Sequence, residues 1–329
     1  MRIEKSSCSQ SEWDAFICSS PFGDVLQNYV YGEKKKAAGG TVARYAWYGD
    51  NGSLLALGQG IIKSRYGLRA QFFPRGPVFK EYNLTVIKQA YKELRINQKK
   101  NGLFLSKCTP GFPYVDEYLN IESRYFKKAR MRNICQRTSR LDISPSTSEL
   151  LGSFRKNLRY YLRKDDKNNL YKIMSGVNSE LIYDFNLIHQ ETASKKGFGA
   201  HTSTYYEEFI PAFNFDFSRV FLLYKDKKPL AGAVILTHEK KATYLVGASL
   251  SDKDIPVGSV LLWNIIQQLK EEGVELFDFQ GIPINPDSKK PEWGVYQAKR
   301  GFRGEEILLV PEINIYSNPA AAYFLKSVI

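Results

Sequence analysis

Residues 276–302, LFDFQGIPINPDSKKPEWGVYQAKRGF, carry the strongest fold signal of the chain. The apolar residues Leu276, Phe277 and Phe279 predict a buried strand that ends at Gly281, and a loop rich in Pro and Asp follows it. A short turn then delivers Lys299 and Arg300. Two fixed cations at a strand end suit a substrate that carries negative charge, or a reaction in which negative charge develops on oxygen. The alternative interpretation is an ordinary solvated Lys-Arg pair in a loop.

The strand LFDFQG closes a run of elements that also occurs in the first half of the chain. Before it, SRVFLLYKDKKPLAGAVILTHEKKATYLVGAS predicts three strands, and SVLLWNIIQQLKEEG predicts a helix. In the first half, TVARYAWYGDNGSLLALGQGII predicts a hairpin that turns at Asp50, Asn51 and Gly52, followed by the helix LTVIKQAYKELRINQKK and the strand LFLSKC. Both helices stop at a glycine, Gly102 and Gly273, as a left-handed cap requires. The repeated order predicts an α/β (α+β) unit that is used twice.

The boundary between the two halves is expected near Pro145. It follows the strand TSRLDIS, and the segment PSTSE carries turn formers and a helix-capping hydroxyl with Glu149 downstream. No low-complexity linker separates the halves. The sequence therefore predicts two domains with a cleft between them, and such clefts are where ligands usually bind.

Length, composition and charge agree with two folded domains and an anionic partner. The 329 residues are 43% hydrophobic and 14% aromatic, enough to bury a large core. The net charge is +13, which favours nucleic acid, nucleotide phosphates or an anionic membrane surface as the partner. Charge alone does not choose among these three.

The cysteines and the termini indicate a reduced, cytoplasmic environment. Cys8, Cys18, Cys108 and Cys135 show neither C-x-x-C spacing nor a nearby His partner, so no disulfide framework and no metal site are predicted. The N-terminal stretch MRIEKSSCSQ has no apolar signal core, and no apolar run reaches the length of about 18 residues that spans a membrane. We expect a soluble, cytoplasmic chain.

The segment ELLGSFRKNLRYYLRKDDKNN predicts a helix with two different faces. Its apolar stripe comprises Leu151, Phe154, Leu158 and Leu162. Arg155, Arg159 and Arg163 follow the adjacent four-residue row, flanked by Tyr160 and Tyr161. Such a row of guanidinium groups suits a phosphate backbone. The alternative is an ordinary solvated helix face.

Five motifs stand in a fixed order along the chain. The first motif comprises Leu26, Gln27, Tyr31, Gly32 and Lys35. The others are PRGP at 74–77, RTSRLDIS at 137–144, FRKNLRYYLRK at 154–164, and DFQGI with GVYQAKRGF at 278–302. Through this order the chain resembles the Fem family, the aminoacyl-tRNA-dependent peptidyltransferases that build peptidoglycan interpeptide bridges. The resemblance extends from about Phe22 to Phe302. Because no coiled-coil arm is inserted, the chain is similar to the compact members.

The resemblance implies a fold of two tandem acetyltransferase-like (GNAT) domains, the first closed by the C-terminal segment. On this basis residues 1–145 with 306–329 form the acceptor-side domain, and residues 146–305 form the aminoacyl-tRNA-side domain. This agrees with the duplication seen in the pattern of strands and helices. No cofactor is implied.

The resemblance also assigns roles to individual residues. Lys299 matches the lysine proposed to stabilise the transition state of acyl transfer, and Lys35 matches a lysine that contacts the diphosphate of a UDP-muramyl-peptide. Tyr205 and Tyr244 fall near the acceptor-site tyrosines. The row Arg155, Arg159 and Arg163, together with Arg300, is the predicted tRNA-binding set.

Three positions depart from the family pattern. His201 stands where compact members place a phosphate-binding arginine, and Thr109 stands in place of the usual aspartate. Both are predicted to face the substrate. Ala298 replaces the phenylalanine usual before the lysine. A neutral histidine lacks the permanent charge and the bidentate fork of arginine, so this position argues against a diphosphate-linked acceptor.

The predicted activity is transfer of an amino acid from aminoacyl-tRNA to an amine of a peptide or muramyl-peptide acceptor. The ester is already activated, so no metal, nucleotide hydrolysis or covalent intermediate is required. Peripheral membrane association is expected if the acceptor is lipid-linked. The alternatives are an acyl-CoA-dependent N-acyltransferase on the same fold, tRNA-dependent peptide-bond formation on a small peptide natural product, and a non-catalytic RNA-binding protein. The loop SDKDIPVGSV lacks the Q/R-x-x-G-x-G/A pattern that binds the pyrophosphate of CoA.

Overall fold

The computed structural model describes residues 1–129, 134–168, 170–196, 206–207, 210, 217–250, 252, 255–290, 292–318 and 320. The chain divides into two compact units, the first formed by Met1–Gln136 with the segment from Leu308 onward, the second by Arg137–Ile307. Each unit combines a mixed sheet with helices, as the sequence predicted. Among the described residues, no helix is both long and apolar enough to cross a membrane.

The first unit is built around a sheet in which most strand pairs are antiparallel. Its strands are β1 (Arg2–Lys5), β2 (Thr41–Tyr48), β3 (Leu54–Arg65), β4 (Leu68–Phe73), β5 (Val78–Phe79), β6 (Leu105–Cys108), β7 (Phe126–Lys128) and, near the C-terminus, β15 (Ile313–Tyr316). The strand order is β1-β2-β3-β4-β6-β15-β7, with β5 paired to β3, and only the pairing of β4 with β6 among these is parallel. The C-terminal strand thus completes the sheet between β6 and β7.

The helices of the first unit are α1 (Gln10–Ser19), α2 (Tyr29–Ala37) and α3 (Leu84–Lys100). Of these, α3 is the one that the sequence predicted. Helix α3 begins at the cap Asn83, whose side chain accepts two backbone hydrogen bonds, and it is followed by Gly102 at φ +65°. Its buried stripe, which includes Tyr91 and Leu94, packs in one core cluster with Trp47 of the sheet.

The second unit repeats the order of strands, helix and strand. Its strands are β8 (Arg137–Asp142), β9 (Lys172–Gly176), β10 (Ser218–Lys225), β11 (Lys228–His238), β12 (Lys241–Ser249), β13 (Leu276–Gly281) and β14 (Glu305–Leu308). Its helices are α4 (Thr147–Ser153), α5 (Lys156–Asn168), α6 (Ser179–Lys196), α7 (Val257–Glu271) and α8 (Trp293–Gly301). The strand order is β14-β8-β13-β12-β11-β10-β9.

Strand β8 lies in the second unit, although the sequence suggested a boundary after it. Its residues pair antiparallel with β13, with Asp142 opposite Leu276 and Arg140 opposite Asp278. A strand belongs to the sheet that satisfies its backbone hydrogen bonds, so the compact units divide before this strand.

Strands β12 and β13 run parallel and then separate. They pair with each other over Lys241–Thr243 and Leu276–Asp278. Beyond these residues β12 continues to pair with β11 as far as Ser249, and β13 pairs with β8 at Gly281. Within β12, Tyr244 pairs with Ile235 and Val246 with Val234, so Leu245 is an extra residue. An extra residue bends a strand and redirects its side chains. The separation opens the sheet at the carboxyl end of β13.

The predicted helix 150–167 is interrupted. Helix α4 ends at Ser153, and Phe154 adopts an extended conformation with ψ 164° before α5 begins. The Phe154 ring packs edge-on against Trp263 at 5.2 Å and against Phe302 at 5.0 Å between ring centroids. Burial of this large ring fixes the break. Leu158 and Leu162 are buried as predicted.

Candidate active site

The end of β13 is held by the carboxylate of Asp278. This carboxylate accepts hydrogen bonds from the Thr138 hydroxyl, from Nε of Arg140 at 3.0 Å and from the backbone N–H of Gln280 at 2.7 Å. Gln280 has φ +59°, a left-handed conformation that is uncommon for a residue with a side chain. The carboxylate therefore stabilises a sharp turn just before Gly281.

Lys299 is a fixed, buried cation. It lies in the last turn of α8, is 6% exposed, and its Nζ donates a hydrogen bond of 2.8 Å to the carbonyl oxygen of Gly281. The same Nζ lies 5.4 Å from the centroid of the Tyr244 ring, within the range of a cation–π contact. The structure thus places the predicted catalytic lysine beside one of the predicted substrate tyrosines.

Arg300 is oriented differently from Lys299. It is exposed, and its guanidinium carbon lies 5.8 Å from the centroid of the Tyr296 ring. Successive residues of a helix point about 100° apart, so only one of two neighbours can face the interior. The expectation of two fixed cations holds for Lys299 alone.

Tyr244 is folded back over the backbone of its own strand. A Cβ atom on Gly247 would lie 1.9 Å from its hydroxyl oxygen, so glycine is required at this position. Burial raises the pKa of the Tyr244 hydroxyl to about 12. The hydroxyl therefore stays protonated near neutral pH and can donate a hydrogen bond.

A cavity of about 480 Å³ lies in the second unit beside these residues. Its wall includes the small residues Gly232, Ala233, Gly247, Ala248, Gly258, Gly294 and Ala298. Its polar lining comprises Thr192, Tyr244, Ser249, Glu292 and Lys299. Small side chains on β11, β12, α7 and α8 leave this volume empty where the two parallel strands separate.

The cavity combines an apolar body with a few polar groups of defined sign, as ligand sites usually do. Lys299 contributes a positive charge, Tyr244 a phenolic donor and Glu292 a carboxylate. A cation near a carbonyl stabilises the oxyanion that forms when a nucleophile attacks it. The arrangement therefore suits acyl transfer.

The arginine row on α5 is not uniform. The Arg159 guanidinium donates hydrogen bonds to the carbonyl oxygens of Gly152 at 2.7 Å and Phe154 at 3.0 Å, which caps the end of α4. Arg155 is half-buried and Arg163 is exposed. Arg159 thus has a structural role in addition to its predicted tRNA contact.

A groove of about 510 Å³ adjoins the cavity on the side of α5. Arg155, Lys156 and Tyr161 line it, and it shares Gly294 and Ala298 with the cavity. The same two residues of α8 therefore separate a cationic groove from the cavity that contains Lys299.

Lys35 and Thr109 lie in the first unit. Lys35 on α2 is half-buried, with Nζ 5.2 Å from the centroid of the Tyr31 ring. Burial, and then the positive charge of Lys63, lower the pKa of Lys35. An anion beside Lys35 would offset both effects.

The Thr109 hydroxyl is used by the PRGP turn. It accepts a hydrogen bond from the Arg75 backbone N–H and donates one to the Phe73 carbonyl, both at 2.9 Å. The Thr109 backbone N–H donates to the Gly76 carbonyl. These bonds stabilise the turn, and substrate contact by Thr109 remains a prediction.

Two predicted substrate residues, His201 and Tyr205, lie outside the described residues. Sequence reasoning missed the positioning role of Asp278 and the carboxylate of Glu292. The signal for Asp278 was present, because the motifs RTSRLDIS and DFQGI contain both halves of its hydrogen-bond network.

Known proteins share this sequence pattern and this fold. Residues 152–290 match the acetyltransferase (GNAT) domain family. The Lipid II:glycine glycyltransferase of Staphylococcus haemolyticus (strain JCSC1435) is 21% identical, over 91% of this chain and 89% of that protein. The crystal structure of FemX superposes with a TM-score of 0.82 at 19% identity and covers 99% of both chains. A tandem GNAT protein from the clavulanic acid biosynthesis pathway gives a TM-score of 0.59 at 10% identity, over 97% of this chain and 99% of that one. The predicted fold of two acetyltransferase-like domains is confirmed.

Proposed function

Because the chain belongs to the Fem family, we propose that it transfers an aminoacyl group from aminoacyl-tRNA to an amine of a peptidoglycan precursor in the cytoplasm. The observation that carries this proposal is the buried ammonium of Lys299 in the wall of a cavity in the second unit. The second unit then receives the aminoacyl end of the donor, and the first unit receives the acceptor.

The reaction requires one bond to form and one to break. The neutral amine of the acceptor attacks the ester carbonyl, and the carbonyl oxygen takes up negative charge in the tetrahedral intermediate. The C–O bond to the ribose then breaks, and the proton lost by the amine passes to the departing ribose oxygen. Lys299 stabilises the oxyanion, with the Tyr244 hydroxyl as a second donor. The cation is held in place before the reaction, so little reorganisation is needed.

The cavity also has a group that suits an aminoacyl donor. An aminoacyl ester carries an α-ammonium group that an acetyl or fatty acyl group lacks. Glu292 lines the cavity at the N-terminal end of α8, while Lys299 lies at its C-terminal end. We assign Glu292 to the α-ammonium and Lys299 to the carbonyl. Opposite charges at the two ends would orient the donor.

The groove beside α5 supports an RNA-linked donor. Arg155 and Lys156 line this groove, and Arg163 continues the row along the exposed side of the helix. Guanidinium and ammonium groups neutralise phosphates and release counterions. The groove adjoins the cavity, so the 3′ end of a tRNA and its aminoacyl group would occupy neighbouring sites. Arg300, exposed on α8, is assigned to the same partner.

The acceptor is assigned to the first unit through Lys35. A half-buried ammonium near a second cation, Lys63, favours an acceptor that carries phosphate groups. The name of the staphylococcal relatives specifies lipid II, which suggests a lipid-linked peptidoglycan precursor here. Tyr205, His201 and Thr109 remain predicted substrate-binding residues.

The test is direct. The protein is incubated with a pool of charged tRNAs carrying radiolabelled amino acids, with lipid-linked and soluble muramyl-peptide acceptors, before and after RNase treatment. We expect label in the acceptor only with intact aminoacyl-tRNA. Transfer that survives RNase, or no transfer from any charged tRNA, would contradict the proposal.

The second candidate is acyl transfer from acyl-CoA, because residues 152–290 match the acetyltransferase domain family. The same incubation with radiolabelled acetyl-CoA in place of charged tRNA tests it. Label transferred from acetyl-CoA and not from tRNA would favour this candidate. It would also predict that Glu292→Gln leaves the rate unchanged, since an acetyl group offers no ammonium.

A further inference from the structure

The hairpin of β3 and β4 carries an exposed tip of unusual composition. The tip residues 63–69, KSRYGLR, are all exposed, and they contain three cations and no acidic residue. Tyr66 is 89% exposed and Leu68 is 51% exposed. The tip therefore combines one large aromatic and one aliphatic side chain with positive charge, and its apolar groups are not needed for the core.

The turn itself is strained by the presence of Tyr66. Tyr66 and Gly67 form the two-residue turn with φ +51° and +75°. Asn, Asp and Gly adopt these angles readily, whereas a bulky residue does so rarely. Local strain of this kind is found at functional sites. The strain points to a role for the aromatic ring at the tip.

The cations flank the apolar residues. Arg65 pairs directly opposite Leu68, and its guanidinium carbon lies 5.1 Å from the centroid of the Tyr66 ring. Lys63 lies two residues before Arg65 on the same strand. Arg69 is anchored by a hydrogen bond of 3.2 Å to the Asn101 carbonyl. The apolar tip thus projects beyond a collar of positive charge.

We propose that this tip, residues 63–69, inserts into the surface of a bilayer that contains anionic phospholipids. Tyr66 and Leu68 would enter the boundary between headgroups and acyl chains, where amphipathic aromatic rings are favoured. Lys63 and Arg65 would lie among the lipid phosphates. This inference goes beyond the proposed function, because it assigns a partner to Arg65, Tyr66 and Leu68, which have no role in donor or acceptor binding there.

Two observations favour a membrane over RNA as the partner of the tip. The guanidinium of Arg65 lies against the ring of Tyr66, where a base would otherwise stack. Leu68 offers nothing to a nucleotide, whereas an aliphatic side chain gains from burial in lipid.

The charge of Lys63 also acts on Lys35. A membrane-bound tip would therefore hold the proposed acceptor residue close to the lipid surface.

The variant Tyr66→Asn/Leu68→Thr tests the inference without disturbing the fold. Asn suits the left-handed turn better than Tyr, and Thr suits a strand, so the hairpin should persist. The matched control is Tyr183→Gln. It also removes an exposed tyrosine, but from α6, away from the tip, where Tyr183 is 58% exposed next to Asp184. Circular dichroism and thermal unfolding would check that both variants fold.

Binding is measured by sedimentation with vesicles of phosphatidylglycerol and phosphatidylcholine, and with vesicles of phosphatidylcholine alone. We expect the wild type and the control to bind the anionic vesicles. The affinity of the double variant for these vesicles should be lower by a factor of about ten or more. Undiminished binding by the double variant, or no binding by the wild type, would overturn the inference. Loss of tRNA binding with vesicle binding intact would assign the tip to RNA instead.

A second variant, Tyr66→Trp, reports the depth of the tip. Its fluorescence should shift to the blue with anionic vesicles and be quenched by brominated acyl chains. Absence of both effects in vesicle-bound protein would also overturn the inference. These measurements use neither donor nor acceptor, so their failure is separate from a failure of the transfer assay.

Discussion

The Nζ atom of Lys299 lies 2.8 Å from the carbonyl oxygen of Gly281 and donates a hydrogen bond to it. The bond joins the last turn of α8 to the end of β13, just past the point where β13 leaves β12. Asp278 stabilises the turn that presents this carbonyl. The position of the ammonium therefore depends on the Asp278 carboxylate, which holds the turn that carries its hydrogen-bond acceptor.

Lys299→Met should lower kcat by about 100-fold or more and weaken substrate binding far less. A fixed ammonium contributes more to the transition state than to the ground state, as an oxyanion-hole donor does. Methionine keeps the aliphatic stem, so folding should survive. Steady-state kinetics of amino-acid transfer measure the effect. Arg300→Met is the control for kcat, because it changes an exposed residue assigned to tRNA binding and should weaken binding without lowering kcat. A wild-type rate for Lys299→Met would refute the catalytic assignment.

Asp278→Asn should lower kcat by about tenfold while the protein still folds. The amide keeps the shape of the carboxylate but loses the ion pair with Arg140 and one acceptor, so the turn at Gln280 and the Gly281 carbonyl are held less firmly. Asp142→Asn, on the partner strand, is the matched control. Equal rates for the two variants would show that Asp278 does not position the site.

Gly294→Leu should raise the KM for the aminoacyl donor by about tenfold or more, because the new side chain would enter the cavity and the adjoining groove. A Cβ atom at Gly294 meets nothing within 4 Å, so the helix can accept the change. The control is Gly152→Leu, at a helical glycine with equally open surroundings. If both variants keep the wild-type KM, the donor does not bind in this cavity.

Arg155→Gln/Arg163→Gln should weaken tRNA binding and flatten its dependence on salt, by about 0.7–0.9 in the logarithmic slope for each phosphate that is no longer neutralised. Filter binding across a salt series measures the slope. Arg159→Gln should instead lower the free energy of unfolding by about 1 kcal/mol, because it removes the cap on α4. Unchanged slopes in the double variant would assign the row to a solvated helix face.

Lys63→Gln should raise the pKa of Lys35. The positive charge of Lys63 disfavours a second charge nearby, so its removal stabilises the charged form of Lys35. Burial remains the larger effect and is unchanged, so the pKa should stay below its ordinary value. The measurement is an NMR titration of ¹³C-methylated lysines, with Lys35→Arg to assign the signal. An unshifted titration curve would show that the two cations do not interact.

Local signals in the sequence determined the elements of this fold. Gly52 lies in the predicted turn at φ +80°, and Gly102 and Gly273 end their helices at φ +65° and +86°. Such conformations depend on a few neighbouring residues, since only glycine adopts them without strain. The strand Leu276–Gly281 could also be predicted, because the apolar residues Leu276, Phe277 and Phe279 lie close together just before a glycine.

Only the tertiary structure decided how the site is assembled. Asp278 meets Thr138, which is 140 residues away in sequence, and no local pattern reports such a contact. At the break, the Phe154 ring packs against Trp263 of α7 and Phe302 beyond α8, and no local pattern reports these distant contacts. The cavity exists because two parallel strands separate and small residues meet beside them. Secondary-structure propensity acts over a few residues, whereas strand pairing and side-chain packing join distant parts of the chain. The helices and strands could therefore be predicted from the sequence, but the contacts between them could not.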